Sequence, residues 1–190
     1  MLESEIFYEM SEDPSDKFAR IEDDLIDENG EALVPWEVDP DLRLAKAMVA
    51  SRKKPLSAWP FIICSAWLLI SDAAYAIAQQ YQCCSSIRWI PTDVTRPDGS
   101  IAGAYWLAHG AAEHDIWDYV KSDFTWLPNI PSGTKEAVAF LNSGVARREL
   151  IPEFDVFQAD YGIWIASSCF AKAIVASGLK GFCFSPLRIE

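Results

Sequence analysis

Both histidines of this chain fall in one heptapeptide, His109-Gly110-Ala111-Ala112-Glu113-His114-Asp115. Imidazoles beside carboxylates are the ligand types of a transition-metal site and the partners of general acid–base chemistry. The spacing does not match the helical zinc motif, in which the histidines are four apart with a glutamate following the first; here they are five apart across a glycine. Surface histidines near a helix start are the commoner account of such a segment, so no metal ligand is assigned. Cys83-Cys84 is a vicinal thiol pair. A catalytic thiol needs a cationic neighbourhood to hold it as thiolate, and none is adjacent in sequence. Cys64, Cys169 and Cys183 lie within apolar runs and read as reduced, buried small hydrophobes. Ser71 and Ser167 are nucleophiles in type, but each stands where a helix cap explains it. No G-x-S-x-G, P-loop or G-x-G-x-x-G is present. The expectation is therefore no catalytic residue, no metal and no cofactor. An enzyme with an unrecognised site would draw on His109 or His114 with a neighbouring carboxylate.

Binding chemistry is better represented. Of eight tryptophans, Trp67, Trp89 and Trp164 sit in apolar runs and read as core, whereas Trp36, between Pro35 and Glu37, reads as an exposed anchor. The net charge of −12 is carried at one end: residues 1–41 hold 15 Asp/Glu against 2 Lys/Arg, and the remainder is nearly balanced. The densest run is Glu22-Asp23-Asp24-Leu25-Ile26-Asp27-Glu28. It reads either as a solvated loop or as a contact surface for a basic partner, since clustered charge speeds association and fixes orientation. Two adjacent aliphatics within the run favour the contact surface. The candidate binding set is Glu22, Asp23, Asp24, Leu25, Asp27, Glu28 and Trp36. The basic stretch Ser51-Arg52-Lys53-Lys54-Pro55 reads as a helix end and loop rather than a nucleic-acid site.

These residues need elements to hold them, and one unit occurs twice. Residues 56–94 and 161–187 each contain a short apolar run, a serine, an Ala-rich amphipathic stretch and a second apolar alternation ending in proline, at Pro91 and Pro186. Each reads as strand, serine-capped helix, strand. The first helix would turn Ala73, Ala74, Ile77, Ala78 and Tyr81 inward, and the second Phe170, Ala173 and Ile174. Gly178-Leu179 fits a left-handed helix stop, with Gly181 turning the chain into Phe182-Cys183-Phe184. Elsewhere residues 6–9 read as an edge strand, 39–48 as a short helix, 97–99 as a turn and 104–107 as a strand. A helix over 113–121 would bury Ile116, Trp117 and Val120, and another, begun at 131–134, would bury Ala137, Phe140 and Leu141 and stop at Gly144. At 190 residues the chain reads as a single domain, 1–190, of class α+β, with a mixed or antiparallel sheet and two similar strand-helix-strand units.

The closing unit, with Gly178-Leu179-Lys180-Gly181 and Phe182-Cys183-Phe184-Ser185-Pro186, resembles the end of immunity protein family eleven of bacterial polymorphic toxin systems, first catalogued as a domain of unknown function. Ile6-Phe7-Tyr8, Ser71, Tyr105-Trp106-Leu107, Asp118 with Ser122, and Phe157 fall in the family's order; residues 127–149 depart from its pattern. The resemblance implies an immunity protein that binds a cognate toxin or effector, encoded in the neighbouring gene, and neutralises it by occlusion or conformational locking. The alternative is a regulatory or structural interaction module with no toxin. The acidic start lacks the basic and apolar regions of a secretory signal, and the apolar stretch 59–70 is shorter than the roughly 20 residues a bilayer-spanning helix needs. The chain is expected to act in the cytoplasm, with no nucleic-acid or membrane partner.

Overall fold

The computed structural model describes residues 6–12, 17–21, 25–34, 39–49, 53–59, 67–128, 133, 135 and 138–190. In chain order these form β1 (Phe7–Glu12), β2 (Ala45–Met48), β3 (Leu68–Ser71), α1 (Asp72–Ala78), β4 (Arg88–Thr95), β5 (Ile101–His109), β6 (Glu113–His114) and β7 (Asp123–Trp126). There follow β8 (Val138–Ser143), β9 (Val145–Ala146), β10 (Val156–Ala159), β11 (Ile163–Ser167), α2 (Ser168–Ala176), β12 (Phe182–Pro186) and β13 (Arg188–Ile189). The larger sheets run β12-β1-β11-β10-β6 and β2-β4-β5-β3, with small pairs β13-β9 and β7-β8. The protein is a mostly β member of the α+β class with mixed sheets.

Alternation along the strands divides the core into three. On β3, Leu69 packs with Leu42, Ala45, Val94 and Leu107, whereas Leu68 and Ile70 turn the other way toward both helices. In the five-stranded sheet, Met10, Val156, Trp164 and Ala166 face the same helical layer, and Phe7, Phe157 and Ile165 face a third cluster built on Ile116 and Trp117. The period of two in side-chain direction makes each sheet two-sided. The central cluster joins the two sheets through α1 and α2, where Tyr81 meets Phe170 edge to face at 5.5 Å.

Both serines cap their helices. The Ser71 hydroxyl accepts from the Ala74 N–H and the Ser167 hydroxyl from the Phe170 N–H, each at 3.3 Å. Ala74 and Ala78 of α1 and Phe170, Ala171 and Ile174 of α2 are buried; Ala73, expected on the inner face, is exposed, and Ala171 is more deeply buried than Ala173. Gly178 stops α2 at φ 73°, and Leu179 packs on the central cluster. The strands that flank each helix do not pair with one another. β5 lies antiparallel between β3 and β4, and β1 antiparallel between β11 and β12.

The two caps differ in one bond, which yields a test. Ser167 Oγ–H also donates to Asp155 Oδ1 at 2.5 Å, and Asp155 Oδ2 accepts from the Gln82 N–H. Ser71→Ala is expected to cost about 1 kcal/mol, and Ser167→Ala about 2 kcal/mol because the half-buried bond to the Asp155 carboxylate goes too. Urea unfolding of both variants measures this; equal losses would show that the Asp155 bond contributes nothing.

Several expectations are corrected. β1 is an interior strand, paired on both sides, not an edge. Residues 45–48 form a strand parallel to β4, with Ala45 and Ala47 inward and Met48 exposed, so the apparent helical face was the coincidence of buried Leu42 with an alternating pair. Residues 113–121 are not helical: the Asp118 carboxylate accepts from the Val120 and Lys121 N–H groups, closing a turn that leaves Val120 90% exposed. Trp117 is instead drawn into a bridge with Ala146. Residues 138–143 are a strand paired with β7, and Gly144 is not a helix stop but a close-packed floor beneath the Trp117 ring. Cys169 is exposed on α2 rather than buried. The turn at 97–99 stands, with the Gly99 N–H donating to Arg96 O at 2.8 Å and φ 80°. Residues 13–16, Cys64 and Ala137 lie outside the described residues.

Candidate functional site

Of the acidic run, Glu22, Asp23, Asp24 and also Trp36 lie outside the described residues. Leu25 is fully buried, packed with Leu42, Ala47 and Val49, and so presents nothing to a partner. This corrects its place in the candidate set. The aliphatics in the acid run are the chain's own anchor: Ile26 N–H donates to Lys46 O and Lys46 N–H to Ile26 O, tying the segment to β2. Asp27 is a turn residue. Its carboxylate accepts from the Glu31 and Asn29 N–H groups, both at 2.8 Å, and these bonds, the Glu31 one foremost, hold its pKa below the usual carboxylate value. Glu28 is exposed at the tip. Asp27, Glu31 and Asp39 border a cleft of about 160 Å³ with His109 at its wall.

The histidines part company in the fold. His109 is 1% exposed, its Nε2 accepts from the Asp39 N–H at 3.0 Å, and burial, then the nearby Arg88 charge, lowers its pKa. That bond requires the tautomer with hydrogen on Nδ1 and describes a neutral ring. His114 lies against Phe157 at 5.6 Å and beside the Cys84 thiol. Among the described residues, no group of three or more His, Cys, Asp or Glu side chains is arranged to hold a metal ion. Cys83 has its thiol pushed up to about 11 by burial and by the Asp155 and Cys84 charges, the reverse of an activated nucleophile.

Near Glu113, the carboxylate of Asp160 is buried and meets Lys135 Nζ at 2.6 Å. Tyr161, next in sequence, takes a left-handed φ of 67°. Burial foremost, with the Asp160 charge, raises the pKa of Glu113. Only the Asp160 end of this pair is buried, Lys135 being 46% exposed, so loss of the lysine would leave a buried carboxylate uncompensated.

A more coherent site lies at the far end of β1 and was not legible in the sequence. There a cavity of about 260 Å³ is lined by Glu9, Met10, Glu12, Trp59, Trp67 and Trp164, among others. Register explains the gathering: Met10 stands opposite Trp164 of β11, and Glu12 opposite Phe182 of β12, whose ring lies 5.5 Å from Trp59. Trp59 Nε1–H donates to Trp67 O at 3.3 Å, immediately ahead of β3. The backbone under Trp59 is clamped, because Ser57 Oγ–H donates to Trp59 O and the Tyr105 hydroxyl to Ser57 O, both at 2.6 Å. Burial raises the pKa of Glu9 and pushes that of Glu12 to about 7, opposed for Glu12 only by its own backbone N–H. Among the described residues no lysine, arginine or histidine forms an ion pair with either carboxylate. The recess thus brings two partly buried carboxyls, one on each face of β1, next to three tryptophans that are at most 4% exposed.

No curated protein matches the chain. The family model described as immunity protein family (Imm11) matches residues 7–188, from the first residue of β1 into β13. The match covers nearly the whole length of the sequence, and the chain belongs to the Imm11 immunity protein family.

Proposed function

We propose that this protein protects its producer by binding one cognate toxin or effector in the cytoplasm and holding it inactive, by occluding its working surface or locking its conformation. The observation that carries this reading is family membership over residues 7–188. Binding alone suffices for such a role: interfaces of roughly 1,600 Å² reach nanomolar affinity or better when a few anchors are well placed. The partner is encoded beside it, and the net charge of −12 makes a basic toxin surface the complement. The two strand-helix-strand units are read as an internal duplication, supported by their matching serine caps and by the antiparallel strand inserted within each.

The test is co-expression with the product of the adjacent gene. Growth should be restored by this protein and the two should co-purify. Failure of both with an active toxin overturns the reading. The contribution of the acidic segment is separable. Asp27 holds a turn and is spared, while Glu22, Asp23, Asp24 and Glu28 are replaced by their amides. Toxin association should slow by about tenfold at low salt and lose much of its salt dependence. Unchanged rates and salt slopes would place the toxin elsewhere on the surface.

A further inference from the structure

We infer that the half of the β2-β4-β5-β3 sheet face that α1 leaves bare is the surface on which the toxin docks, through a contact with an apolar centre and a basic rim. This deepens the proposed immunity function and rests on it for the identity of the partner.

The bare half follows from element lengths. One face of this sheet turns Leu69, Ile90, Val94 and Leu107 into an enclosed core. On the other face Leu68, Ile70 and Ala108 pack with Ala74 and Ala78 of α1. The seven residues of α1 span about 10 Å, whereas the eight of β4 extend about 27 Å, so the helix cannot cover the whole face. Register shows what it leaves out. Met48 and Ile101 flank Thr95 in one row across β2, β4 and β5. Asp93 stands opposite Ala104 in the next row, and Pro91 opposite Trp106 in a third. Met48 is 41% exposed and Ile101 78%, and Pro91 and Ala104 are exposed with them. Trp106 is half-buried and closes the patch on the helix side. It stacks on Tyr75 at 4.2 Å and donates Nε1–H to Asp72 Oδ1 at 2.9 Å, so it is set in place before a partner arrives. Single aliphatics at a surface are ordinary, but aliphatics in register with one another and joined to an aromatic have the make-up of an interface core.

Charge says what covers this face. Lys46 lies beside Asp93 in the register, but its Nζ donates to Glu28 O at 3.0 Å. Arg96, next after Thr95, likewise donates a guanidinium N–H to Lys54 O. Asp93 is exposed and forms no ion pair among the described residues. Asp72 borders one side of the patch; Glu28 borders the other, in the acidic segment that Ile26 and Lys46 tie to β2. The apolar centre is therefore continuous with the acidic end of the chain. A toxin surface with lysines or arginines around an apolar patch complements it, whereas an acidic partner would be repelled and a second copy would set like rims against each other.

The test measures association and dissociation of the full chain with the purified product of the adjacent gene. Ile101→Lys, and the double variant Met48→Lys/Ile101→Lys, break the apolar centre and set positive charge against a basic rim. Both should dissociate at least about thirtyfold faster than wild type. Asp93→Asn should slow association about threefold at low salt. Val120→Lys and Val175→Lys alter exposed aliphatics elsewhere, on the Asp118 turn and on α2, and should stay within about twofold of wild type. Thermal unfolding checks that each variant is folded, and Ile101→Lys alone suffices should the double variant not be. Wild-type dissociation of Ile101→Lys, or losses as large in the two controls, would overturn the inference. So would a wild-type dimer that Ile101→Lys converts to monomer, because a second copy would then cover the face. If the wild type does not bind the adjacent gene product, the immunity reading fails and the inference with it. If the wild type binds and the variants bind as well, the docking surface alone is withdrawn and the immunity function stands.

Discussion

Replacing Gly181 with alanine is expected to destabilise the fold by about 3–5 kcal/mol, a fall in Tm of roughly 10 °C or more for a domain of this size. Two causes act together. Gly181 holds φ at 105°, beyond the conformations that side-chain-bearing residues adopt without strain. A Cβ there would also lie 2.5 Å from Ser57 Cβ, 2.6 Å from Ser57 Oγ and 2.7 Å from the Trp59 carbonyl oxygen. None of these atoms is the free end of a flexible chain. Ser57 is bonded on both sides, and Ala58 N–H donates to Lys180 O next to the glycine itself. Gly99→Ala supplies the control, because Gly99 has φ 80° and open space where its Cβ would stand. It should cost only about 1 kcal/mol. Thermal unfolding of the two variants separates strain from steric overlap, and equal losses would show that the β12 entry does not press on the Trp59 segment.

The second large effect depends on pH. Burial raises the Glu12 pKa from 4.5 to about 7. The folded protein therefore holds this proton more tightly than the unfolded chain. Stability from this group is fully present below pH 4.5 and is lost as pH rises through 7, where the folded state must ionise a partly buried carboxyl. Glu12→Gln abolishes that loss. Relative to wild type, the variant should gain on the order of 2–3 kcal/mol between pH 4.5 and pH 8, a figure set by the size of the shift and reduced by the exposure Glu12 retains. Glu9 shifts in the same direction, so Glu9→Gln should add to the gain. Urea unfolding at the two pH values measures it. A wild-type-to-variant difference that does not change with pH would show that Glu12 is solvated.

Sequence reading succeeded where the signal was local. A serine hydroxyl reaches an N–H three residues on, so the caps at Ser71 and Ser167 were visible from composition and spacing alone. So were the stop at Gly178 and the turn at Gly99, each a single residue with a positive φ. It failed where the hydrogen-bond partner is distant. Residues 45–48 pair with 92–95, and the Trp117 backbone pairs with Ala146; nothing near either segment in sequence announces these partners. Short apolar spacings then read as helical faces by coincidence, as with Leu42, Ala45 and Met48. Leu25 shows the limit for function. Its place inside an acidic run suggested a contact residue, and the fold uses it as a buried plug.

By itself, then, the sequence determined the family, the α+β class, the two serine-capped helices and the strong segregation of acid toward the first 41 residues. Capping, turn chemistry and charge balance are properties of neighbours along the chain or of the chain as a whole. Only the tertiary structure decided which segments became strands, which aliphatics were buried and which distant residues line one recess. Glu9 and Glu12 stand on β1, Trp59 and Trp67 about fifty residues on, and Trp164 on β11. They share a cavity because β1 inserts between β11 and β12, and strand insertion joins residues whose separation along the chain carries no trace of their pairing.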